Sequence, residues 1–461
     1  MSFARSSIQT FIVRVGLTFI GLTVGIINSR TLGPAGLGTL TLLLLVREVC
    51  FRFGNLGLGS AFAYFVAKKL ESTQRIIRIQ WAAGALVSAL TILMILAIWR
   101  KPFTPWNEIE PKLFYLALLT VPLFLINNFL QRILSGELRI TAMNVSDAIT
   151  TLGTVLFLFV FVVWMNWGIA GSLLAVIAAD VCALSYLCHQ CIMLPVREAE
   201  VPRERLALSG LLWRMWQYGF WSYLLILVNF FVEELPLLLL KTFKISNADI
   251  GLFRNARALG QQSKIVAVPV SQVLFPYTAA AEQKDATRRT NLLCRNSIWL
   301  MAVTTVVTLP IIKPLIVLLY GQEFVDSARI YCAMIIGTIV WPAGNFLAIH
   351  VAAAGKPRVV FLASVLIVAS AFAACWYLIP RYGVMGAGIA FSIINVIQTG
   401  VRMVVYCRET GSSYRDVLLL GESDFQAYAK LWRAVIGRRG PRPDKSRGFP
   451  VRGMKDEDLP A

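Results

Sequence analysis

The run Gly251–Tyr277, GLFRNARALGQQSKIVAVPVSQVLFPY, carries Arg254, Arg257, Gln261 and Lys264 at offsets of 0, 3, 7 and 10. On an α-helix that spacing places all four along one face. Charged side chains at bilayer depth are costly and mostly face a bundle interior or a wet cavity. Two readings therefore compete: a basic loop at a membrane edge, or a span lining an anion-binding lumen. The residues on either side decide between them.

Of 461 residues, 57% are hydrophobic and 15% charged, and the mean hydropathy is +0.67. The apolar residues come in runs of about 20, enough to cross a ~30 Å hydrocarbon core. The net charge of +19 fits the excess of Lys and Arg on the cytoplasmic side of membrane proteins and attraction to anionic headgroups. No nucleic-acid motif accompanies it. Cys50, Cys182, Cys294, Cys332 and Cys375 lie within apolar runs and Cys407 ends one, which reads as small hydrophobes and not a disulfide framework. Cys188-His189-Cys191 lacks an evident fourth zinc ligand.

Twelve spans are expected, near 8–28, 38–66, 80–98, 113–133, 142–164, 168–193, 212–240, 249–277, 293–319, 329–351, 359–379 and 383–407. The first carries Arg14 and ends at Asn28-Ser29-Arg30 without an A-x-A-like site, so it reads as a retained span. Loops holding Lys68, Lys69, Arg75, Arg78, Arg132, Arg139, Lys284, Arg288 and Arg289 are richer in basic residues than the alternate set. That predicts a cytoplasmic position for them and for both termini.

The halves echo each other. Gly38 and Gly251 stand 213 apart, Trp167-Gly168 and Tyr382-Gly383 stand 215 apart, and Gly136 and Gly355 stand 219 apart. A six-span unit in duplicate is predicted, and because six is even the copies run parallel. The expected divisions are 1–200, 201–407, and a basic cytoplasmic tail at 408–461 with a possible interfacial helix through Phe425, Tyr428, Trp432 and Ile436.

Polar residues fall in the first two spans of each unit. Arg14, Thr18 and Asn28 share a face, as do Glu48, Arg52 and Asn55, with Arg47 adjacent; the seventh span offers Asn229, Glu233 and Glu234. The candidate ligands of a cationic lumen are Arg14, Arg47, Arg52, Asn55, Arg254, Arg257, Gln261 and Lys264, and the candidates for ion coupling are Glu48, Glu233 and Glu234. The competing reading pairs them internally, Glu48 with Arg52 and Glu233 or Glu234 with Arg254 or Arg257. The cations outnumber the three glutamates, which favours an anionic ligand, and the arginine fork suits phosphate oxygens. His189 and His350 lie in or beside apolar helices without a nucleophile–acid constellation, and no G-x-x-x-x-G-K-[ST] is present. Neither an enzyme, a cofactor nor a bound metal is expected.

RTLGPAGLGTLTLLLL (Arg30–Leu45), NLGLGSAFAYFVAKK (Asn55–Lys69), ADIGLFRNARALGQQ (Ala248–Gln262), WGIAGSLLA and YGVMGAGIA resemble, in order and spacing, the oligosaccharide flippases of the multidrug/oligosaccharidyl-lipid/polysaccharide exporter superfamily. The resemblance spans about residues 5–407. It implies an all-α integral membrane protein of two six-helix bundles forming a V around a central cavity. It implies alternating-access transfer of undecaprenyl-pyrophosphate-linked oligosaccharide across the bacterial inner membrane, alongside a polysaccharide polymerase and chain-length proteins. Related lipid II flippases line the lumen with arginines of the first, second and eighth spans, where this chain has Arg14, Arg52 and Arg254 or Arg257. Those relatives carry two further spans, so the likeness favours an O-antigen or exopolysaccharide flippase. A cation-coupled multidrug exporter and a non-transporting scaffold are the alternatives.

Overall fold

The computed structural model describes residues 3–101, 104–194, 207–261 and 282–421, with positions 267, 270, 271, 274, 277 and 278 between them; side chains are described from Gly16 onward, except at 357. The expected tail helix around Trp432 lies outside these residues, as does Lys264; Arg14 is placed on a helix, but its side chain is outside them.

The described residues are helical. In chain order the helices are α1 (Phe3–Gly54), α2 (Leu58–Ala67), α3 (Thr73–Ile98), α4 (Pro111–Gly136), α5 (Ile140–Leu158), α6 (Gly168–Ile192), α7 (Leu208–Thr242), α8 (Asn247–Gly260), α9 (Gln283–Thr308), α10 (Ile312–Tyr320), α11 (Ser327–Ala353), α12 (Pro357–Thr410) and the short α13 (Tyr414–Leu418). A π-helical turn, Phe159–Trp164, extends α5. By length and composition nine helices among the described residues can cross a membrane. At 1.5 Å per residue, α1 and α12 would each be about 80 Å long, well over twice the hydrocarbon core. Each is interrupted once by a glycine with positive φ, Gly33 (64°) in α1 and Gly383 (56°) in α12. Both are therefore paired spans joined at a one-residue turn that a side chain would strain.

The second span differs from its expected form. The sequence reads as one helix over 38–66, but α1 stops at Gly54 and α2 restarts at Leu58. Leu56 and Gly57 between them take positive φ, 47° and 80°. The reason lies across the bundle: a Cβ on Gly57 would sit 2.4 Å from the carbonyl oxygen of Gly219 in α7.

Burial is inverted relative to a soluble protein. On α3, Leu86, Leu90 and Leu93 are exposed on one face while Gln80, Ser88 and Thr91 are buried. That is the distribution expected of helices whose outer solvent is lipid. The loop after α3 is anchored by indoles: Trp99 Nε1 donates to Trp106 O at 2.9 Å and Trp106 Nε1 to Leu42 O at 2.7 Å.

Candidate functional site

The two units of the duplication meet along α1–α8 and α2–α7. Two glycines predicted to be equivalent, Gly38 and Gly251, turn out to face each other. A Cβ on Gly38 would lie 1.8 Å from Asn247 O, and one on Gly251 would lie 2.0 Å from Pro34 O. Without a hydrophobic drive between helices in lipid, such backbone approach is what van der Waals packing needs. Asn247 Nδ2 donates to Thr39 Oγ1 at 3.0 Å and Asn255 Nδ2 to Ser29 Oγ at 3.1 Å across the same seam. The start of α8 is set locally by Ser246, whose Oγ accepts from the Asp249 amide at 3.1 Å.

The second seam is formed by α2 and the first half of α7. Gly57 and Gly219 exclude side chains from each other, Ser60 and Ser222 hydroxyls are 2.8 Å apart, and the rings of Tyr64 and Tyr218 stack at 3.9 Å. Tyr223 OH donates to Phe53 O at 3.1 Å.

Between the seams α1, α7 and α8 carry charge. Arg254 is exposed, and it forms no hydrogen bond or ion pair among the described residues. The charges it feels are those of Arg257, Glu234, Arg47 and Glu48, so groups from both units converge on it. Arg52 meets Glu48 at a loose 3.5 Å, each side chain one-third exposed. Glu233 and Asn229 are also exposed. Asn55 is buried and turned to its own backbone, its Oδ1 accepting from Gly59 N at 3.4 Å.

Two arginines have other partners. Arg257 is buried and makes a bidentate pair with Glu234, Nη1–Oε2 2.9 Å and Nη2–Oε1 2.7 Å. Arg47 turns into the first unit, 3.5 Å from the buried Asp180 of α6 and 4.6 Å over the ring of Phe124. This departs from the expectation of a lumen ligand. Asp180 is 133 residues from Arg47, and no periodicity along α1 could reveal it.

A cavity of about 200 Å³ opens beside Arg257 inside the second unit, walled by α7, α8, α11 and α12. Gln261 lines it, with Trp341, Asn345, Phe391, Asn395, Gln398 and Arg402. Arg402 is buried; its Nη1 donates to Gly344 O at 3.4 Å, and the Gln398 amide oxygen faces it, accepting from Nη1 at 2.6 Å and Nη2 at 3.1 Å. The sequence reading overlooked Arg402, although Phe391, Asn395, Gln398 and Arg402 recur at offsets 0, 4, 7 and 11 on one helix face.

Solved structures share this fold. The lipid II flippase MurJ in an inward closed conformation is 12% identical, with 95% of this chain and 94% of that chain covered and a TM-score of 0.70. An inward-facing multidrug-resistance transporter of the MOP superfamily is 14% identical over 87% of this chain and 98% of that one, TM-score 0.68. A MOP transporter from Pyrococcus furiosus, described as having a binding pocket of reverse polarity, is 15% identical over 88% and 95%, TM-score 0.61. At these identities the likeness concerns the fold. No curated protein matches the chain in sequence. Residues 3–282 match the family model described as polysaccharide biosynthesis protein, and the chain is a multi-pass membrane protein of that family, built on the fold of the MOP transporters.

Proposed function

We propose that the protein carries a lipid-linked oligosaccharide, joined through pyrophosphate to a polyprenyl chain, from the cytoplasmic to the outer leaflet of the bacterial inner membrane. Both termini then lie in the cytoplasm, and the product feeds surface-polysaccharide assembly. The observation that carries the reading is Arg254: a guanidinium exposed between the two units and unpaired among the described residues. A fork of N–H donors in that position suits a phosphate oxygen pair. Arg52, held loosely by Glu48, is the residue we assign as a second donor set, taken up once the phosphate displaces the carboxylate. The polyprenyl tail stays in lipid, and the units rock about the glycine seams to alternate access. Glu233, exposed on α7 and lining the space beside Arg257, is the residue we assign to coupling with an ion gradient.

The test is a strain lacking the native gene and carrying Arg254→Ala. Lipid-linked oligosaccharide should accumulate on the cytoplasmic leaflet and polymer export should drop at least roughly tenfold, the loss of one charge-assisted contact of ~1.5–3 kcal/mol. Export at the wild-type rate with the variant present in the membrane would refute the assignment. The multidrug alternative is tested in the same strain by efflux of organic cations, which an arginine-bearing lumen opposes.

A further inference from the structure

The cavity in the second unit has a chemistry distinct from the phosphate position. Its charges cancel. Arg257 and Arg402 supply two positive charges, and Glu233 and Glu234, the latter bound to Arg257, supply two negative. Its amides are set as an array of acceptors and donors. Asn345 spends Nδ2 on Ser271 Oγ at 2.8 Å and Asn395 spends Nδ2 on Phe391 O at 2.8 Å. Their carbonyl oxygens have no donor among the described residues, while Gln398, its oxygen on Arg402, keeps its NH2. Two prolines add main-chain acceptors. Pro236 in α7 and Pro342 in α11 lack the N–H that a helix would give to the residue four earlier, which is Val232 and Thr338. Both of those residues line the cavity. Trp341 and Phe391 supply apolar ring faces.

Amide donors and acceptors beside the rings of Trp341 and Phe391, with the charges of the described residues balanced, fit the hydroxyls and C–H face of a pyranose. Pockets for drug-sized ligands run to roughly 300–1,000 Å³. A cavity of about 200 Å³ is on the scale of a single sugar ring. Arg257 follows Arg254 by three residues on α8, and side chains so spaced lie about 5–6 Å apart at Cβ. The phosphate position and the cavity are thus neighbours, one helical turn apart on α8.

We propose that this cavity is a subsite for the sugar attached directly to the pyrophosphate, and that it takes an uncharged pyranose. The inference rests on the flippase reading for the phosphate, but the cavity is tested by itself. Full-length protein in lipid nanodiscs would be titrated with inorganic phosphate, methyl glucoside, methyl glucuronide and glucose 1-phosphate, with isothermal titration calorimetry as the readout. Glucose 1-phosphate is expected to bind at least tenfold more tightly than inorganic phosphate, and the glucoside more tightly than the glucuronide. Trp341→Ala and Asn395→Leu should each reduce glucose 1-phosphate to the affinity of inorganic phosphate. Retained phosphate binding in these variants shows that they are folded, and Trp341→Phe should restore most of the sugar's contribution. Equal affinity of glucose 1-phosphate and inorganic phosphate in the wild type would overturn the proposal. So would a sugar contribution that survives both variants, or a preference for the glucuronide. Arg254→Ala separates the two ideas: if it leaves phosphate affinity unchanged, the phosphate reading falls, while the glucoside result still judges the cavity.

Discussion

Arg257 and Glu234 offer the most decisive measurement, because their pairing separates a structural arginine from a ligand-binding one. Arg257 is 9% exposed and Glu234 19%, joined by two short hydrogen bonds. Removing one member of such a pair leaves a charge with little water around it, at about 3–5 kcal/mol. Replacing both by apolar residues of similar volume removes the attraction and the desolvation together, and is often close to neutral. The variants are Arg257→Met, Glu234→Leu and the double. The assay is thermal unfolding of the purified protein in detergent followed by tryptophan fluorescence. At roughly 2 °C per kcal/mol for a long chain, each single variant should lower the apparent Tm by about 6–10 °C. The double variant should recover at least half of a single variant's loss, far from the additive sum of the two. Had the pair been exposed, it would contribute at most about 1 kcal/mol and the shifts would stay near 2 °C. Single-variant shifts that small, or additive losses in the double, would refute the view of Arg257 as a buried structural cation. Arg254→Ala, whose guanidinium has no partner to strand among the described residues, should leave Tm unchanged within about 1 °C in the same assay.

Two further outcomes follow from the seams and the loop. Gly38→Ala brings a methyl group against Asn247 O, and Gly251→Ala brings one against Pro34 O. Each should cost about 1–3 kcal/mol by overpacking, with the double far from additive because both act on one contact, and Gly38→Ala should reduce disulfide cross-linking of a Ser29→Cys/Asn255→Cys pair severalfold. Lys241, at the end of α7, donates to Glu108 of the α3–α4 loop at 2.6 Å and holds its carboxyl below the usual carboxylate range. A folded pKa below the unfolded one stabilises at pH values above the unfolded value and is lost as pH falls through the folded one. Glu108 is two-thirds exposed, so Glu108→Gln should cost at most about 1 kcal/mol at pH 7. Its difference from wild type should shrink as pH is lowered below about 4, measured by Tm across a pH series.

The likeness between the halves was readable because glycine spacing survives where side-chain identity does not. A glycine marks a place where backbones must approach, and the two that the offset of 213 pairs, Gly38 and Gly251, are in contact. The break at Asn55–Gly57 was hidden, since Glu48, Arg52 and Asn55 keep a helical spacing that reads as one unbroken helix. Arg402 was within reach of the same face-counting that found the ladder on α8, but it is the single charged residue of the span 383–407.

Sequence alone determined an all-helical membrane protein with charge concentrated in a few helices, because run length and helical period are properties of neighbouring residues. The tertiary structure alone decided what each charge does. Arg254 and Arg257 share a helix face one turn apart, yet one is exposed and the other is locked to Glu234, 23 residues away in α7. Arg47 looked as free as Arg52 until Asp180 of α6 came beside it. The interaction of two charges is governed by their separation in space and the water between them, and neither quantity is written in the spacing along one helix.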